Sequence, residues 1–170
     1  MALIARLIMI TVIGLLLFVV LGISAMVWLE NDYSGLFDLV DLDEDLPATT
    51  MGPTLATIAT MVLIVACLTR AFWAVHQILK RPVQSDFLKL SHQLRICAFS
   101  LIAFWGAIQI LLGPVSYLLI AHIPADIRPS VDYFPFELEA IYLILALPLL
   151  VTASALRRAA DIEEENSQFL

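Results

Sequence analysis

Formal charge is what this chain has least of. Asp, Glu, Lys and Arg make up 15% of its 170 residues, where a soluble domain carries about a quarter. The charges present collect between four long apolar stretches that hold almost none. Helices of a soluble all-α core need a polar face, and these stretches have none, so that class is excluded. Strands of a membrane β-barrel need short alternating segments of about ten residues, and these runs do not alternate.

Cysteine and histidine are also scarce. The two cysteines, Cys67 and Cys97, form no Cys-x-x-Cys motif. They lie at similar distances either side of Pro82 and read as small buried residues on the reducing side of a membrane, where stable disulfides are rare. The three histidines, His76, His92 and His122, fall at or beyond the ends of the apolar stretches. Paired haem ligands would sit within facing spans instead. Ser91-His92 and the scattered acids show no metal-ligand spacing of the His-Glu-x-x-His kind. A carboxylate at the membrane centre, the usual proton-coupling group of a secondary transporter, is missing too. These absences point away from an enzyme and call for no cofactor and no metal.

What is there is hydrophobic: 61% of residues are apolar. The four stretches cover about 7–29, 54–75, 96–121 and 138–156. Each matches the roughly 20 residues that span a hydrocarbon core of about 30 Å. Backbone amides in lipid must pair within their own segment, so each stretch is expected to be an α-helix. The expected fold is an all-α integral membrane four-helix bundle, one domain over 1–170, with no room for a separate soluble domain. The first apolar run, of about 23 residues, exceeds the core of a typical signal peptide and is expected to remain as a membrane helix.

Basic residues give the orientation. Arg6, Arg70, Lys80, Arg81, Lys89, Arg95, Arg157 and Arg158 fall on one side of the four stretches, and Arg128 alone falls on the other. The positive-inside rule places both termini and the middle loop in the cytoplasm. The net charge of −7 comes mainly from two places. Glu30, Asp32, Asp38, Asp41, Asp43, Glu44 and Asp45 lie in the first outer loop, and Asp161, Glu163, Glu164 and Glu165 lie near the C-terminus. Asp41–Asp45 alternates acids as a calcium loop does, but Leu46 and Gly52 stand where an EF-hand requires glycine and glutamate. A solvated acidic loop is the expectation, with Tyr33, Leu36, Phe37, Leu39 and Val40 resting on the membrane surface or packing across helix ends. The basic residues suit anionic lipid headgroups, and nothing forms a nucleic-acid-binding patch.

Within the stretches, Gly14 with Gly22 and Gly106 with Gly113 are candidates for close helix approach. Pro114 and Pro148 are expected to kink the third and fourth helices. Gln109 reads as an interhelical hydrogen-bonding group. Arg70 and Glu139 lie at opposite depths and are expected to reach separate interfaces rather than each other. The second and third helices are expected to form an antiparallel hairpin about Pro82.

The middle loop carries more pattern. Ser85 or Asp86 can cap a helix after Pro82. Phe87, Leu90, Leu94 and then Ile96 or Cys97 follow at helical spacing, with Lys89, His92, Gln93 and Arg95 between them. This is a short amphipathic cytoplasmic helix, lying in the interface or running straight into the third span.

Phe87, the Leu94-Arg95 pair before the third span, and Glu165-Asn166 a short way beyond the last span together resemble the bacterial membrane proteins grouped as domain of unknown function 2975. The likeness covers nearly the whole chain through short motifs. It departs after Phe87, where the family's small-residue and acid pattern is absent, and at Ser167-Gln168-Phe169-Leu170, which replaces the usual Asp-Leu-Thr-hydrophobic ending. The resemblance implies a small cytoplasmic helix-turn-helix regulator as partner. The expected function is that of a non-enzymatic regulatory or interaction protein, with an oligomeric small-molecule carrier or channel subunit as the alternative. The candidate docking residues are Phe87, Lys89, Leu94, Arg95, Glu163, Glu164, Glu165 and Asn166.

Overall fold

The computed structural model describes residues 2–30, 34–39, 49–80, 87–126, 128–129 and 140–167. Their helices are α1 (Ala2–Ala25, continued by a π-helical turn, Met26–Glu30), α2 (Ser34–Leu39), α3 (Met51–Leu79), α4 (Phe87–Ile110, continued by a π-helical turn, Leu111–Val115), α5 (Ser116–Ile120) and α6 (Ala140–Ser167). Four helical runs are long and apolar enough to cross a membrane: Ile10–Leu29, Met51–Leu79, Phe87–Ile120 and Ala140–Asn166. The all-α, four-helix membrane class expected from the sequence is the one observed, and no strand occurs among the described residues.

The helices outrun the apolar stretches that announce them. The third run begins at Phe87 rather than 96, so the amphipathic segment is its first turns and not a separate interfacial helix. The fourth continues to Ser167 rather than ending near 156. No Gly or Pro interrupts Leu156–Asn166, and its Ala, Leu, Arg and Glu residues are good helix formers. Leaving the hydrocarbon is therefore no reason for the backbone to unwind. The Ser85 or Asp86 cap and the acidic run Asp41–Asp45 lie outside the described residues.

Contacts divide the chain into two compact units. The first comprises Met1–Thr11, Cys67–Trp105 and Glu139–Leu170. Here Ala71 and Ala74 of α3 cluster with Cys97 of α4, and Ile96, Leu101 and Leu149 pack around them. Ser91 of α4 donates a 2.7 Å hydrogen bond from Oγ to the carbonyl of Ala153 on α6. Phe104 meets Tyr142 edge-to-face, with ring centroids 4.8 Å apart. Contact that advances from Ser91 to Phe104 on α4 retreats from Ala153 to Tyr142 on α6, so these helices run antiparallel. Among the buried or half-buried positions of α6, Tyr142, Ala146, Leu149, Ala153, Leu156 and Ala160 alternate four- and three-residue steps, the seam of a left-handed helix pair. The Ala71–Cys97 cluster supports the expected hairpin of the second and third spans. Both cysteines are buried and unpaired.

Three of the four expected glycines, Gly14, Gly22 and Gly106, have open space beside them, while Gly113 and several alanines are buried. Ala74, Ala98 and Ala153 are completely buried. A methyl group added at Gly14, Gly22 or Gly106 meets no atom within 4 Å among the described residues. Lipid supplies no hydrophobic drive between helices, so close packing falls to whichever small side chain faces the neighbour.

The Ser91 bond gives the first prediction. Ser91→Ala lowers stability by about 0.6–1.7 kcal/mol, from the average to the maximum for interhelical hydrogen bonds in membranes. Reversible unfolding in mixed micelles measures it. An unchanged or higher stability contradicts the bond.

The second unit comprises Val12–Ala66 and Gly106–Leu138. Val20 of α1 packs on Met61 and Val65 of α3, flanked by Leu16 and Ile23. Thr54, Thr57 and Thr60 recur every three residues along α3 and are all buried. Each hydroxyl donates to the carbonyl four residues back, at Thr50, Pro53 and Ala56. That satisfies a polar group in an apolar setting without a second helix. Pro114 lies in the π-helical turn, which absorbs the missing N–H and ring bulk of proline. The Ser116 hydroxyl donates to the Leu111 carbonyl at 2.7 Å and helps satisfy that turn. Pro148 lies within α6 without such a turn.

Part of the loop between the first and second spans is structured. Phe37 on α2 is 1% exposed and packs with Leu111, Val115, Leu119, Ile120 and Ile123, with Ile64 against them. It therefore packs across helix ends, one of the two placements expected for this segment. Arg128, the one base between the third and fourth spans, donates Nη2 to the carbonyls of Ala121 and Ile123. Its Nε also donates to Ile123, and its guanidinium lies 5.8 Å from the Tyr117 ring centroid. Cationic donors suit the open carbonyls just past a helix C-terminus, so this exception to the charge distribution caps α5.

Candidate functional site

The first unit contains an open cleft of about 160 Å³ lined by Leu88, Ser91, His92, Arg95 and Arg157. Four of these residues come from the start of α4 at positions i, i+3, i+4 and i+7, which lie on one helix face. Arg157 comes from α6, one turn beyond the Ala153 carbonyl that holds Ser91. Side chains on a helix lean toward its N-terminus. Because the helices are antiparallel, Arg95 leans toward the level of Ser91 and Arg157 leans back toward Ala153, and the two cations meet in one cleft. Its lining includes no carboxylate. Neither guanidinium has a hydrogen bond or ion pair among the described residues.

The eight candidate docking residues divide around this cleft. Arg95 is half-buried and lines it. Phe87 and Lys89 are exposed and Leu94 is half-buried on the same turns of α4, outside the lining. Glu163, Glu164, Glu165 and Asn166 are exposed on the last turns of α6, also outside the lining. The cation beside Arg95 is Arg157 rather than an acid of the tail serving as counter-charge.

Leu88, Ser91, His92 and Arg157 are the lining residues that the docking set omits. A signal for Arg157 stands in the sequence, beside Arg95. Arg95 immediately precedes the third apolar stretch, and Arg157 immediately follows the fourth. Two cations at matching edges of antiparallel spans belong at one depth.

Gln109 is buried within the second unit. Among the described residues no three His, Cys, Asp or Glu side chains gather where a metal could be held. No family model, curated protein or solved structure matches the chain.

Proposed function

We propose that this chain is a non-enzymatic regulatory or interaction protein of a bacterial inner membrane. Its four spans leave both termini in the cytoplasm, and it acts through the cytoplasmic ends of α4 and α6. The observation that carries this reading is the Ser91–Ala153 bond, which ties the first turns of α4 to α6 where both helices leave their apolar stretches. From there α6 continues to Ser167 with an exposed surface. The eight-to-one distribution of Lys and Arg supports the orientation.

The charge of the α6 end also favours a partner. Glu163 and Glu165 occupy the C-terminal turns of a helix, where an acid is disfavoured by about 0.3–1 kcal/mol through the helix dipole. A cationic partner surface offsets that cost, and Phe87 and Ile162, both exposed, offer apolar contact beside the charge. The resemblance to domain of unknown function 2975, carried by Phe87, Leu94-Arg95 and Glu165-Asn166, favours a small cytoplasmic helix-turn-helix regulator as the partner. In this reading the protein itself binds no nucleic acid. The hydroxyls of Thr54, Thr57 and Thr60 are each satisfied by the carbonyl one turn back and lend no support to a carrier or channel. Cross-linked pull-down from native membranes tests the proposal: the full chain captures a cytoplasmic partner, and a chain ending at Asp161 does not.

A further inference from the structure

We propose that the cleft between α4 and α6 is a binding site for a phosphate-type oxyanion, which the geometry assigns to the phosphodiester of an anionic phospholipid. The inference stands apart from partner docking, since four of the five lining residues lie outside the docking set. Two guanidinium groups, an imidazole and a buried hydroxyl face one space of about 160 Å³ with no carboxylate in its wall. Guanidinium is the side chain best matched to phosphate oxygens, because its N–H groups bind two oxygens at once. Two such groups in one cleft repel each other unless an anion lies between them. A water molecule takes about 30 Å³ of liquid, so the cleft has room for a phosphate group with bridging water.

The depth of the cleft favours a lipid source. Arg95 abuts Ile96 at the start of one apolar stretch, and Arg157 abuts Leu156 at the end of its antiparallel neighbour. Both cations therefore sit at headgroup level, where a basic residue near an anionic leaflet gains most. Leu88 supplies an apolar wall, and the exposed flanks of α6, such as Val151, are open to acyl chains. A soluble phosphate has the same oxyanion chemistry but needs no apolar flank.

The test is native mass spectrometry of the full chain in neutral detergent, titrated with phosphatidylglycerol or with phosphatidylcholine of the same acyl chains. The wild-type protein binds phosphatidylglycerol about tenfold or more tightly than phosphatidylcholine, as two cations near a charged headgroup imply. R95Q/R157Q brings the two lipids to equal affinity. R6Q/K80Q, which removes the same charge away from the cleft, leaves the preference unchanged. A titration with millimolar inorganic phosphate separates the sources: a lipid site keeps its phosphatidylglycerol, and a site for free phosphate releases it, with either result supporting an oxyanion site. Undiminished phosphatidylglycerol preference in folded R95Q/R157Q overturns the proposal. So does equal binding of the two lipids by the wild-type protein, a comparison that needs no substitution and holds even if the variant fails to fold.

Discussion

Phe37→Ala destabilises the protein by about 3–5 kcal/mol, the usual cost of removing a fully buried aromatic ring. Phe37 is 1% exposed and sits among Leu111, Val115, Leu119, Ile120 and Ile123. The helix that carries it, α2, has only six residues. A helix that short is unstable alone and exists because its apolar face is docked. Losing the ring therefore leaves a cavity and also releases α2. Reversible unfolding in micelles measures the loss, and faster protease cleavage of the loop between the first and second spans accompanies it. A loss below about 1 kcal/mol would place Phe37 outside the core.

Ending the chain at Asp161 abolishes partner capture while leaving membrane insertion intact. The residues removed include Ile162, Glu163, Glu164, Glu165 and Asn166, all exposed, so no described core contact is lost. The cut lies beyond Ala153 and Arg157, so the bond from Ser91 and the cleft both survive. Removing acids from a helix C-terminus relieves an unfavourable dipole interaction, which offsets the loss of the interaction that exposed Glu164 makes. Exposed ion pairs contribute about 0–1 kcal/mol each, so the partner's affinity must come from several charges together with apolar contact at Ile162 and Phe87. Capture of the same partner at full yield by the shortened chain removes the tail from the docking surface. Binding of phosphatidylglycerol is unaffected by this cut, which keeps the two proposals separable.

The spans were legible because lipid imposes one rule, that backbone polar groups pair inside each segment, and apolar runs of spanning length obey it as helices. The helix ends were less legible. An apolar run marks where the hydrocarbon stops, whereas Phe87–Arg95 and Leu156–Ser167 remain helical on propensity and, at Ser91, on a contact with α6. Glycines drew attention as close-packing residues, yet Gly14, Gly22 and Gly106 have open space beside them while Ala74, Ala98 and Ala153 are buried, because a small residue matters only if it faces a neighbour. Phe37 was legible as a residue that could pack across helix ends, but not as the ring that anchors α2. The matching depth of Arg95 and Arg157 was legible from their places at the edges of two apolar stretches, but not that α4 and α6 are neighbours whose faces bring the two into one cleft.

Reporter fusions test the central claim, that the ends of α4 and α6 face the cytoplasm, most directly. A reporter active only in the cytoplasm is joined after Leu42 in one chain and after Leu170 in another. Four spans with the Lys- and Arg-rich side inward predict no signal after Leu42 and full signal after Leu170. A cytoplasmic signal after Leu42 contradicts the orientation and the proposed docking surface with it.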